Sequence, residues 1–361
     1  MKTYRAAVIG CSRMGGFIDN EVVGAPKHVP PYSHAAGFYA CPRTDLVACA
    51  DVRTDVMERF GERYDIPKER QYTDYRAMIA NENLDIVSVA TQPEPRAEIV
   101  IYAADHGIKA IYAEKAMAAS LAEADAMVEA LERNDVFFNL GTNRRWNPNY
   151  DAMKAVIDSG QLGELKSLVL YNNGTMFNTG SHTIDLVMRL NSDVPVVGVQ
   201  AYLTNAEGMF DGDILMDDPV GAGTIFFENG VTASMLLTPR GLEVDAIGTE
   251  GALSAFNDAQ EWLLRTRQIS SPGRTSLLPA EGFQPPEPAS STLLLIEDLV
   301  HSLDTGEPSR CGPRVALAST EVIFAFIESH RQGGARVELP LVKRDLRMQR
   351  NHTPKTPKYT A

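Results

Sequence analysis

The chain has 361 residues, 44% of them apolar and 22% charged, an ordinary globular balance in a length that suits two domains. Its formal net charge of −13 argues against a nucleic-acid partner, because phosphate binding needs a basic surface. With no apolar run long enough to span a bilayer and no signal-peptide stretch at the start, neither a membrane partner nor export is expected, and the location expected is cytoplasmic.

Arg5-Ala-Ala-Val-Ile-Gly10 reads as an apolar strand that turns through glycine into Cys11-Ser12-Arg13-Met14-Gly15 and a following helix. Such a unit presents backbone N–H groups and a positive helix end, which suit the pyrophosphate of a dinucleotide. The fingerprint is degraded, because Ser12 stands where the usual G-x-G-x-x-G spacing has its second glycine. Gly10 and Gly15 keep the tight turn and the close helix–sheet packing, and the Ser12 hydroxyl can itself donate to phosphate. Taken alone, a glycine turn after a strand is as often plain punctuation.

An insertion lies between Gly16 and His34, with Pro26, Pro30 and Pro31. Its His28, Tyr32 and His34 either border a pocket or belong to a surface excursion, and the excursion is the expectation. Asp45 to Asp51 reads as a second strand ending in a carboxylate placed to bind an adenosine ribose. The insertion accounts for a spacing about twice the usual one of roughly 20 residues. Asp51 favours NAD over NADP by repelling a 2′-phosphate, and Arg53 would soften that preference. The alternative for Asp51 is a solvated strand end, and for Arg53 a plain surface arginine is the expectation.

Helices are expected over Thr54–Tyr64, Asp74–Asn81 and Glu94–His106, with strands at Asp85–Ala90, Ile108–Tyr112 and Val136–Leu140. Ser120 caps a further helix, with Glu123 completing a capping box. Regular alternation of this kind predicts a doubly wound parallel sheet in a first domain over 1–141. A second domain is expected over 142–342, followed by a basic tail over 343–361. In the second domain, Asn147 and Pro148 start a helix that Gly160 stops. Strands are expected at Lys166–Tyr171, Val196–Leu203, Ala222–Phe227, Thr232–Leu237 and Glu243–Ile247. Glu228-Asn229-Gly230 predicts a hairpin with a type I′ turn. Ser270 to Ser291 reads as a long loop, and Leu293–Leu303 and Val315–His330 as helices packing on the second domain. The tail, with Lys343, Arg344, Arg347, Arg350, Lys355 and Lys358, either clasps a neighbouring subunit or is disordered.

The four cysteines, Cys11, Cys41, Cys49 and Cys311, have neither disulfide nor metal-ligand spacing, so reduced thiols and no metal are expected.

From Ala113-Glu114-Lys115-Ala116-Met117-Ala118 onward the sequence resembles the Gfo/Idh/MocA family of NAD(P)-dependent oxidoreductases. The likeness runs through Leu121-Ala-Glu-Ala-Asp-Ala126, Asn143-Arg-Arg-Trp-Asn-Pro148, Asp158-Ser-Gly160 with Leu162-Gly163, Gly180-Ser-His-Thr-Ile-Asp185 and, more faintly, Gly248-Thr-Glu-Gly251. The family's Glu-Lys-Pro signature has Ala116 in place of proline, and Asn178 stands where the family usually has aspartate.

The resemblance implies an N-terminal Rossmann domain and a C-terminal α+β domain with an open, mostly antiparallel sheet. That sheet's helix-free face is then expected to dock a second copy in a dimer or tetramer. It implies NAD as cofactor, with NADP as the alternative, bound by Gly10, Ser12, Arg13, Met14, Gly15, Asp51, Arg53, Thr91, Gln92, Glu114 and Lys115. It also implies a sugar, sugar derivative or cyclitol as substrate, oxidised at a secondary hydroxyl or reduced at the matching ketone.

Lys115 and His182 are then the catalytic pair, Lys115 stabilising the reacting oxygen and His182 taking its proton. His182 falls in the first turn of a helix, whose positive end disfavours imidazolium, and Asp185 lies on the same side to orient the ring. Asn178 and Asp185 face substrate. Arg145 and Trp146 line a sugar pocket or serve packing, Arg96 stands where histidine is common, and His106, His301, His330 and His352 have no promoting context. Two other readings stay open: a glycosidase-like enzyme that retains its NAD, and a non-catalytic cofactor-binding sensor.

Overall fold

The computed structural model describes residues 2–25 and 27–349, so Arg350, His352, Lys355 and Lys358 lie outside the described residues. The chain divides into two compact units, one of 1–146 with 289–317 and the segment from 347, the other of 147–288 with 318–346.

In the first unit, β1 (Tyr4–Ile9), β2 (Thr44–Ala50), β3 (Gln71–Tyr72), β4 (Ile86–Val89), β5 (Ala110–Ala113) and β6 (Phe137–Leu140) form one parallel sheet. Their order is β3-β2-β1-β4-β5-β6. It reverses between β1 and β4, and open parallel sheets bind ligands at the carboxyl ends of the strands beside such a switch point. The strands are nearly continuous apolar runs because both faces are covered; Ala6, Val8, Ile86, Val87 and Ile111 are fully buried.

Helices α1 (Asp19–Val22), α2 (His34–Ala40), α3 (Thr54–Arg63), α4 (Tyr75–Glu82), α5 (Pro93–Asp105) and α6 (Leu121–Arg133) join the strands. Asp74 caps α4 through Arg76 N, and Ser120 caps α6 through Glu123 N at 3.2 Å. Glu123 reaches back to Ala119 N, one residue before the usual partner of a capping box.

Two expectations change here. The helix expected after the glycine loop starts as a wide turn, Arg13–Phe17, closed by Ile18 N on Arg13 O at 2.7 Å. Only the four residues of α1 follow. The insertion is exposed in its middle, at Val23 and Lys27, but its last residues are not a surface excursion. The Asp19 carboxylate accepts from Tyr32 N at 2.6 Å and Ser33 N at 3.1 Å, Ser33 caps α2, and His34 is fully buried.

The second unit begins with α7 (Pro148–Asp158), capped as expected by Asn147 through Asn149 N at 2.9 Å. Then come β7 (Leu165–Asn172), α8 (Ser181–Leu190), β8 (Val196–Thr204), the short pair β9 (Phe210–Asp211) and β10 (Ile214–Leu215), β11 (Val220–Phe227) and β12 (Thr232–Leu237). They are followed by β13 (Glu243–Gly248), β14 (Gly251–Phe256), β15 (Glu261–Ser271) and β16 (Arg274–Pro279). With β17 (Val337–Glu338) these build a nine-stranded sheet in the order β16-β15-β14-β13-β7-β12-β11-β8-β17. The β7–β12 pair is parallel and the others are antiparallel.

The β11–β12 turn is not type I′. Gly230 is left-handed at φ +82° but Asn229 is not, and Gly230 N reaches Phe227 O at 3.0 Å. This is a type I turn closed by a left-handed glycine. The stretch read as a loop from Ser270 holds the end of β15 and all of β16, a hairpin whose exposed, polar residues carry no apolar alternation.

Helix α9 (Ser291–Thr305), expected in the second domain, belongs to the first unit, where Leu295, Ile296 and Leu299 enter the core. Helix α10 (Pro313–Arg331) passes from the first unit into the second. No described helix is long and apolar enough to cross a membrane.

Asp19→Ala removes the acceptor of two charge-assisted bonds. We expect a loss of about 2 kcal/mol in urea unfolding, with new proteolytic cleavage before Ser33.

Candidate active site

At the carboxyl end of β1, Gly10 adopts φ +94°, and a Cβ there would sit 2.9 Å from the Ala90 carbonyl. A Cβ on Gly15 would sit 1.9 Å from Gly10 O, so the loop closes only on glycine. The Asp51 carboxylate at the end of β2 accepts from Cys11 N at 2.7 Å and from Arg53 N at 2.9 Å. It thereby ties the glycine loop to the neighbouring strand and keeps lone pairs for a ligand.

A cavity of about 750 Å³ opens over this edge of the first unit, with Gly10, Ser12, Asp51, Thr91 and Gln92 in its wall. The Thr91 hydroxyl there is buried without a hydrogen-bond partner. A polar ligand would satisfy it, and a carboxylate beside a glycine turn is the donor–acceptor set a dinucleotide needs, so the residues fit the group. Arg13, Met14, Gly15, Arg53, Glu114 and Lys115 are not in the cavity wall. Arg13 pairs with Glu21 and Arg53 with Asp55 at 2.6 Å, so charge next to Asp51 is already matched.

Glu114 and Lys115 follow β5 directly. The Glu114 carboxylate is buried, its Oε1 3.1 Å from His34 Nε2 and its Oε2 4.0 Å from Lys115 Nζ. Burial alone would raise its pKa. The His34 hydrogen bond and the charges of Lys115, His34 and Arg96 outweigh burial and hold it at about 2. The Lys115–Ala116 peptide is cis. Arg96, itself buried, donates to Ala116 O and Thr91 O, joining the segment after β5 to the segment after β4.

In the second unit, His182 is half-buried, Asp185 fully buried and Asn178 exposed. The helix-end argument for His182 needs correction. A wide turn over Met176–Gly180 runs without a break into α8, so the helical path begins before His182. That earlier start is capped by Asp218, which accepts from Phe177 N at 2.9 Å and the Thr175 hydroxyl at 2.6 Å. A capping carboxylate offsets the positive end, and the imidazole stands more than a turn inside it.

Arg145 and Trp146 lie in the first unit and are 1% exposed each. Trp146 belongs to the apolar core and Arg145 donates to Arg310 O, so their burial supports the packing alternative.

Sequence reasoning named His34 but weighed it toward a surface excursion, and it underrated Arg96. It also missed Arg347 and Gln349, which line the cavity. Arg347 pairs with Glu123 at 3.0 Å and Met348 N donates to Ala119 O, so this part of the basic tail packs on its own chain.

A carboxylate whose folded pKa lies below its unfolded value stabilises the fold above about pH 4.5, and that contribution is lost as pH falls toward 2. The stability advantage of the parent over Glu114→Gln, from urea unfolding at stepped pH, should be largest near neutrality. It should shrink through this window.

Residues 4–142 match the model of the Gfo/Idh/MocA oxidoreductase family, described as an NAD-binding Rossmann fold. A myo-inositol 2-dehydrogenase of Thermotoga maritima is 25% identical over 203 residues, 52% of this chain and 57% of that one. A D-apiose dehydrogenase of Rhizobium rhizogenes is 29% identical over 244 residues, 62% of this chain and 65% of that one. The chain thus spans about three fifths of the length of these curated relatives. The solved aldose–aldose oxidoreductase of Caulobacter crescentus shares the fold, with a TM-score of 0.74 at 19% identity over 94% of this chain and all of that one. Residues 4–142 belong to the Gfo/Idh/MocA oxidoreductase family, with its NAD-binding Rossmann fold.

Proposed function

We propose that the chain is an NAD-dependent dehydrogenase oxidising a secondary hydroxyl of a sugar, sugar derivative or cyclitol, or reducing the matching ketone. The observation that carries this reading is Lys115, set directly after β5 at the ligand-binding edge of the sheet and charge-matched by the buried Glu114. The named relatives, acting on inositol and apiose, support the substrate class.

Gly10, Ser12 and Thr91 hold the cofactor's phosphates and nicotinamide side, and Asp51 its ribose. With Arg53 occupied by Asp55, the carboxylate sets the preference for NAD over NADP. The bound nicotinamide supplies a hydride acceptor. Lys115 donates a hydrogen bond to the substrate oxygen and stabilises its developing charge. His182 takes the hydroxyl proton, Asp185 orients it and Asn178 bonds a further hydroxyl.

A second copy docks on the exposed face of the nine-stranded sheet, where Tyr202 on β8 is 55% exposed and Leu236 on β12 42%. The molecule is then a homo-oligomer.

A panel of sugars and cyclitols incubated with NAD or NADP, read by absorbance of the reduced cofactor, should give turnover with NAD in preference. Lys115→Ala and His182→Ala should each lower kcat on the order of a hundredfold to ten-thousandfold with cofactor binding retained. No net NADH with any substrate would leave the NAD-retaining and sensor readings. Asp51→Ala should weaken NAD binding by roughly tenfold in calorimetry and erase the discrimination against NADP.

A further inference from the structure

His34 is fully buried, and its ring stacks on Tyr112 with centroids 3.8 Å apart and planes within 3°. Its two nitrogens both have polar partners: Nδ1 meets the buried Ser88 hydroxyl on β4, and Nε2 meets Glu114 Oε1. The opposite oxygen, Glu114 Oε2, accepts from Lys115 N at 3.3 Å and lies 4.0 Å from Lys115 Nζ. One carboxylate therefore has a histidine on one side and the lysine on the other.

The groups facing Glu114 are His34 from α2, the Arg96 guanidinium from α5 and Lys115 from its own segment. Tyr112 faces it as a neutral phenol, since burial and then the Glu114 charge push that hydroxyl well above its ordinary value. An ionised Glu114 only accepts, so the proton between it and His34 belongs to Nε2. Arg96 donates to the Thr91 and Ala116 carbonyls and acts on Glu114 through its charge, while the imidazole meets the carboxylate by a hydrogen bond from outside its own segment.

We propose that Ser88, His34 and Glu114 form a buried relay that fixes the place and charge of Lys115, making His34 a positioning residue rather than a packing histidine. The Ser88 hydroxyl sets the ring's orientation, the ring holds the carboxylate ionised, and the carboxylate holds the ammonium. The insertion before α2 thus serves the site, by carrying His34 under it. The relay's bearing on catalysis rests on the role proposed above for Lys115; the relay itself does not.

The test uses the full chain without cofactor or substrate. Isotope-labelled histidine should show the His34 proton on Nε2 in the parent protein. Methyl-labelled lysine, with the Lys115 signal assigned by its loss in Lys115→Arg, gives the Lys115 titration midpoint. In Glu114→Gln that midpoint should fall by about one pH unit, as expected when an opposite charge at this distance is removed. His34→Phe keeps the stack but not the donor and should lower the midpoint in the same direction. His34→Gln, which restores a donor, should recover most of the difference.

A proton on Nδ1 with Nε2 bare, a midpoint equal in parent and Glu114→Gln, or an unmoved midpoint in a folded His34→Phe each overturns the relay. Should His34→Phe not fold, the parent histidine spectrum and Glu114→Gln still decide it. A relay that titrates as described in a chain inactive on every substrate refutes the dehydrogenase reading alone. Turnover with an unmoved Lys115 refutes the relay alone.

Discussion

A carboxylate taken out of water must be surrounded by donors or give up its charge, and Glu114 is surrounded. Its partners come from different parts of the first unit: His34 from α2, Arg96 from α5, and Lys115 from the end of β5 itself. The requirement to match one buried charge therefore binds two helices to the carboxyl end of the sheet. It also explains why the two ends of an insertion whose middle is exposed are held against the fold. Asp19 fixes its far end by two backbone N–H groups, and His34 has a place only beneath the Glu114 carboxylate and against Tyr112.

The neighbouring edge obeys a steric rule instead. Gly15 approaches Gly10 O so closely that no side chain fits, and Gly10 turns in a left-handed conformation against the Ala90 carbonyl. Ser12 is tolerated because its place is on the cavity wall, where a hydroxyl has room. Asp51 then joins the two kinds of constraint, accepting from the loop at Cys11 N while lining the same cavity. A short wide turn after the loop, rather than a long helix, is compatible with this arrangement because the contacts come from the loop and the strand ends.

Most of the first unit was legible along the chain. Its strands are apolar on both faces, its helices carry side-chain caps such as Ser120 and Asp74, and both signals are local. Legibility failed where the signal was not local. The distal end of the β15–β16 hairpin, from Ser270, is exposed and lacks apolar alternation, so composition reads it as loop, while its register comes from antiparallel pairing. Helix α9 was legible as a helix but not its address, since the same apolar stripe suits either core. Of the candidate site, Gly10, Ser12, Asp51, Thr91 and Gln92 were readable and share one cavity wall. Arg347 and Gln349 join that wall from the other end of the chain, which no spacing rule announces.

By itself the sequence determined the alternation of the first unit, the glycine turn and the acidic end of β2, because period, backbone permissiveness and charge sign are properties of short stretches. Only the tertiary structure decided that His34 lies buried on Tyr112, that Arg96 bridges two carbonyls, and that the helical path of His182 starts earlier, under Asp218. Those are statements about what surrounds a polar group once water is excluded. Burial and partner geometry exist only when distant segments have met.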